Sequence, residues 1–70
     1  MIATLLATCT SWVLVEETVL GDKHVVTLQC TPTEITCIRR GAEHEVDLRM
    51  KGFDTSKNYD FTCVDNRPKN

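Results

Sequence analysis

Four cysteines and two histidines are the residues of this 70-residue chain best equipped for chemistry. Cys9, Cys30, Cys37 and Cys63, with His24 and His44, could supply a Cys–His nucleophile pair, a zinc site or disulfides. A nucleophile, its base and an orienting group must converge in a pocket. A chain this short has little interior in which to build one. His44 falls on the apolar side of an alternating run and reads as a packed side chain. His24 reads as a strand start near solvent. No Gly-rich phosphate loop or spaced carboxylate pair stands out, so no catalytic residue is expected. Zinc is disfavoured because the spacing C-x20-C-x6-C-x25-C contains no tight knuckle and places no histidine beside a cysteine. Neither a metal nor any other cofactor is expected.

Disulfides fit the size better. Domains below roughly 70–80 residues often need a staple, and an even cysteine count suits a secreted framework. Four cysteines allow three connectivities. In residues 24–30, Val26, Leu28 and Cys30 share one face of a strand; in residues 59–64, Tyr59, Phe61 and Cys63 do. Closing Cys30 on Cys37 would pair Leu28 with Ile38 in a hairpin and leave the two thiols on opposite faces. The expected order is therefore 9–37 with 30–63, then 9–63 with 30–37, then 9–30 with 37–63.

The elements that must hold these residues read as strands. Residues 11–20 are rich in Val, Leu, Trp and Thr, which favour extended chain. Gly21-Asp22 is a turn and residues 23–31 a second strand. Pro32 interrupts, residues 35–40 form a third short strand, and Gly41-Ala42 closes it. In residues 43–50, His44, Val46, Leu48 and Met50 face one way, and Glu43, Glu45, Asp47 and Arg49 the other. That is the pattern of a half-buried antiparallel strand. Residues 51–57 are a polar loop with Phe53 as a plug, and residues 59–65 are the last strand. Residues 1–10 are ambiguous between helix and strand and lean to strand. The expected fold is all-β: one small five- to six-stranded antiparallel sandwich or barrel over residues 1–65, stapled by disulfides, with a flexible tail at 66–70.

Charge and hydropathy exclude several functions. Net charge is −2, with −3 on residues 1–35 and +1 on residues 36–70. Neither half offers the basic stripe that nucleic-acid binding needs. Arg39-Arg40 is the only adjacent basic pair and reads as a solvated strand end. The uncharged first fifteen residues are too short to span a bilayer and lack the basic start of a secretory leader. That segment is expected to belong to the folded domain, any leader having been removed.

Three segments resemble strands of the immunoglobulin-like family. Residues 20–30, ending in His24-Val25-Val26-Thr27-Leu28-Gln29-Cys30, are similar to its B strand. Ile35-Thr36-Cys37-Ile38-Arg39-Arg40-Gly41 is similar to its C strand, with Cys37 where the family has a buried Trp. Tyr59-Asp60-Phe61-Thr62-Cys63-Val64 is similar to its F strand. The resemblance implies a β-sandwich and an inter-sheet Cys30–Cys63 bond. In size, cysteine count and strand count the chain is also similar to small secreted pathogen effectors.

The expected function is that of a secreted, non-enzymatic module that binds a protein through a rigid β surface or edge strand. Arg39, Arg40, Trp12 and Tyr59 are the candidate anchors. A free sheet edge could instead pair with a second copy. An effector or inhibitor with a host target is a special case of the same reading. The competing reading is a thiol-redox or Cys-dependent enzyme using Cys37 or Cys9, which demands an accessible, low-pKa thiol.

Overall fold

The computed structural model describes residues 8–69. The expectation for residues 1–10 therefore lies largely outside the described residues.

Strand β1 (Trp12–Leu20) turns at Gly21-Asp22 into β2 (Lys23–Thr31). Gly21 has φ 63° and Asp22 is not left-handed, so the turn is of the Gly-first type that matches strand twist in two-residue hairpins. The antiparallel register runs from Leu20↔Lys23 to Trp12↔Thr31. Helix α1 (Glu34–Met50) follows, then a single turn α2 (Thr55–Asn58), then β3 (Tyr59–Asp65). β3 returns to the other side of β1, also antiparallel, giving one three-stranded sheet of order β2-β1-β3. The outer strands are thus parallel to each other, and α1 lies in the connection between them.

This corrects the expected sandwich. The fold is mostly β, but among the described residues it has three strands and a 17-residue helix rather than five or six strands in two sheets. The runs at 35–40 and 43–50, expected to be two strands, are one helix, and Gly41-Ala42 lies inside it. The segment resembling a C strand is part of the same helix.

Local signals explain why helix wins. Thr33 is extended at the N-cap, and its hydroxyl oxygen accepts the Thr36 N–H at 3.1 Å. Glu34 in the first turn and Arg49 in the last complement the helix dipole. Glu45–Arg49 and Asp47–Lys51 are paired four residues apart, at 3.2 and 3.0 Å. At the C-terminus Gly52, at φ 89°, donates its N–H to the Arg49 carbonyl, and the Phe53 N–H reaches the Leu48 carbonyl, both at 3.0 Å. That double bond pattern ends helices around a left-handed glycine.

Strand register sorts the side chains into two faces. Leu14, Glu16 and Thr18 of β1 share the inner face with Cys63, Phe61 and Tyr59 of β3. α1 lies on this face. Val13, Val15 and Val19 share the outer face with Cys30, Leu28 and His24 of β2. Among the described residues the buried apolar ones are Cys9, Val13, Leu14, Cys37 and Tyr59.

Two disulfides tie further segments to these faces. Cys9–Cys30 clamps the segment before β1 onto the outer face, and Cys37–Cys63 clamps α1 onto the inner face. Cα separations of 5.7 and 6.0 Å are ordinary for such bonds. This is the connectivity placed last from the sequence, and it replaces both the expected 9–37 with 30–63 and the Cys30–Cys63 bond that the immunoglobulin resemblance implies. Asn66 and Arg67, expected to begin a flexible tail, are tied in: the Asn66 N–H reaches the Ser11 carbonyl at 2.9 Å.

Candidate functional site

A polar cluster lies between sheet and helix. Glu16, mid-strand in β1 and only 8% exposed, turns its carboxylate toward α1. Its Oε2 accepts the Tyr59 hydroxyl at 2.6 Å and a hydrogen bond from His44 Nδ1. Oε1 accepts more distantly from the Thr27 hydroxyl, at 3.5 Å. Tyr59 Oη also lies 3.3 Å from the Gly41 carbonyl, and the Tyr59 and His44 rings meet edge-on at 5.5 Å. A buried carboxylate is costly unless hydrogen-bonded, and these partners meet that demand. Burial, and then the Glu16 carboxylate beside its hydroxyl, push Tyr59 well above the ordinary tyrosine range.

Glycine makes this cluster possible. Gly41 faces Phe61 so closely that an added Cβ would stand 2.6 Å from the ring's Cγ. Removing the side chain lets α1 settle onto β3 and brings His44, one turn later, over Glu16. His44 Nδ1 is committed to Glu16, and the side chain is 44% exposed. A carboxylate-oriented imidazole is half of a catalytic device, but it needs a nucleophile or metal beside it. All four cysteines are in disulfides, so no thiolate is at hand. Among the described residues there is no group of three or more His, Cys, Asp or Glu side chains that could hold a metal ion. Through its bonds to Glu16 and Gly41 the cluster ties α1 to the sheet.

The four candidate anchors are scattered. Tyr59 is buried, with its hydroxyl on Glu16. Trp12 is half-buried, and the Arg67 guanidinium stacks 5.3 Å from its ring centroid. Arg67 is in turn held by a two-pronged bond to Asp65 at 2.9 and 2.8 Å. The Arg67 side-chain hydrogen bonds draw the Asp65 carboxyl down to about 2. Arg39 and Arg40 are both exposed on α1. His24 is exposed on β2. The sequence reading did not single out Glu16. Its alternation with Leu14 and Thr18, opposite Phe61 and Tyr59, was the signal that it points inward.

Two of the exposed surfaces carry several apolar side chains. One is β2, whose residues are exposed except half-buried Leu28 and buried Thr31. The other is the face of α1 directed away from the sheet, where Ile35, Ile38, Val46 and Met50 are 69, 48, 46 and 83% exposed. No described helix is long and apolar enough to cross a membrane. Two disulfides suggest an oxidising, extracellular environment.

The fold and site define a small three-stranded sheet under one disulfide-pinned helix, with an internal Glu–His–Tyr key. Comparison with protein-family models, curated proteins and solved structures finds no match for this chain.

Proposed function

We propose that the chain is a secreted, non-enzymatic protein-binding module that receives an extended segment of its partner along the free edge of β2. One observation carries this reading. β2 is nine residues long, it stands at the end of the sheet order, and no described strand pairs with its outer edge. Apart from Lys23 at its start, it contains no Lys, Arg, Asp, Glu or Pro. Edge strands are ordinarily guarded by charge, proline, a bulge or shortness, because their unpaired N–H and C=O groups invite another strand. A guest strand here would complete those hydrogen bonds, with Val26 and Leu28 meeting its side chains on one face and Val25 on the other. The Cys9–Cys30 bond anchors one end of β2 and the tight turn the other. The edge is therefore ordered in advance, which lowers the entropy cost of binding.

Selection of peptides from a random display library against the oxidised protein tests this. Enriched peptides should bind in extended form and slow hydrogen exchange at alternate β2 amides. If nothing is enriched, or protection falls elsewhere, the proposal is wrong.

A further inference from the structure

The helix is amphipathic the wrong way round for a two-layer domain. The residues it turns to the sheet are buried Cys37 and Gly41 and, bonded to Glu16, His44, with half-buried Leu48 next on the same spacing; the line is short and partly polar. The opposite line is Ile35, Ile38, Ala42, Val46, Met50, and its four large members are each at least 46% exposed. A surface helix ordinarily buries its apolar stripe, and one that presents it to water marks an interaction surface. On this line Arg39, Ala42, Glu43 and Val46 enclose a groove. Their spacing, i, i+3, i+4, i+7, is that of the hole which receives a side chain from a facing helix.

We infer that this face packs against α1 of a second copy of the chain, the two helices antiparallel about a two-fold axis at Ala42. The charges select that occupant. With a rise of about 1.5 Å per residue, Arg39 stands about 4.5 Å before Ala42 and Glu43 about 1.5 Å after it. The two-fold reverses the axis but keeps each flank on its own side. It thus brings the second copy's Glu43 to within about 3 Å of Arg39 along the axis, and reciprocally. On the opposite flank, Glu34 lies about 12 Å before Ala42 and Arg49 about 10.5 Å after, so the same operation places them at nearly the same height. Ile38 then faces Val46, and the small Ala42 meets its own copy where the helices approach closest. A parallel arrangement would carry each flank to the opposite side and so separate Arg39 from the second copy's Glu43. Arg39, Glu43 and Glu34 make no salt bridge among the described residues, while Arg49 would share its guanidinium between Glu45 and the second copy's Glu34. The antiparallel order also opposes the helix dipoles favourably.

Sedimentation equilibrium of the oxidised protein over a range of concentrations is the test, with circular dichroism and disulfide mass confirming that each variant is folded. The wild-type chain should dimerise reversibly. Arg39→Glu, which turns two attractive contacts repulsive, should weaken the dimer about tenfold or more. The double variant Arg39→Glu with Glu43→Arg should restore it, since the pairs re-form with signs exchanged. Val46→Asp should abolish it. A chain monomeric up to millimolar concentration overturns the inference and leaves the face to another protein. So does a dimer indifferent to Arg39→Glu and Val46→Asp, which would point to pairing through β2, and so does a charge exchange that fails to restore association. Peptide protection of β2 lies on a different element and should be unchanged by these variants, so the two proposals fail separately.

Discussion

Cys30 and Cys63 lie on opposite faces of one sheet. Cys30 stands across from Val13 and Cys63 across from Leu14, consecutive residues of the central strand. Side chains alternate along a strand, so the two sulfurs point apart and each must find its partner in another layer. Cys30 finds Cys9 and Cys63 finds Cys37. The sheet is therefore clamped from both sides rather than stitched to a second sheet.

Peptide mapping without reduction should recover Cys9–Cys30 and Cys37–Cys63 as the linked pairs. Replacing Cys37 and Cys63 together by Ala should cost about 3.5 kcal/mol, as expected for closing a loop with a sequence separation of 26. That is a large share of the stability usual for a small domain. Urea denaturation of the variant should show a collapsed or absent transition.

At position 41, two effects oppose each other. Alanine is better than glycine by about 1 kcal/mol in a helix interior. Here its Cβ would press into Phe61, and overpacking of this kind costs about 1–3 kcal/mol. Gly41→Ala should therefore lower the urea midpoint. Adding Phe61→Leu should recover part of the loss, a coupling that a double-mutant cycle would read directly.

Tyr59 is the only tyrosine, so absorbance of the tyrosinate band reports it alone. Its native pKa is raised, first by burial and then by Glu16. The unfolded chain releases this proton near pH 10 while the native chain holds it. The associated stability is thus complete below about pH 10 and falls as pH rises beyond it. Native ionisation should be delayed until unfolding. In Glu16→Gln, the carboxylate charge is gone, so tyrosinate should appear at lower pH. Glu16→Ala should also cost roughly 1.5–3 kcal/mol at neutral pH, through the lost bonds to Tyr59 and His44.

The strands were legible because local preference and tertiary use agree. β-branched residues, a Gly-Asp turn and period-2 alternation mark β1, β2 and β3 at close to their observed bounds. The helix was misread for a physical reason. His44, Val46, Leu48 and Met50 alternate with charges, and over eight residues a helix apolar on two sides mimics a strand. The β-branched Ile35, Thr36 and Ile38 strengthened the wrong inference. Contrary signals were present: Thr33 three residues before Thr36, the Glu45–Arg49 and Asp47–Lys51 spacings, and Gly52 past the end. The disulfide pairing followed the same error, since a strand at Cys37 would turn its sulfur differently from a helix lying on the sheet. The key at Glu16 was illegible for a related reason. His44 reaches it only through the helix, which no β reading supplies.

Asp65 and Arg67 predict behaviour at the acid end. Asp65 sits at the end of β3, opposite Trp12, and the Arg67 it grips stacks on that ring. The Arg67 bonds lower its carboxyl from 3.8 to about 2. Because the folded value is the lower one, the stabilisation is present above about pH 4 and is lost as pH falls through 2. The pair is exposed, so salt should shrink the effect. Trp12 is the only tryptophan, and its fluorescence should change as the Arg67 guanidinium is released. Asp65→Asn should lack that acid transition. Arg67→Lys, which cannot make the two-pronged contact, should move it up toward pH 4. An unchanged acid profile in both variants would mean that the Asp65–Arg67–Trp12 stack does not hold the end of β3.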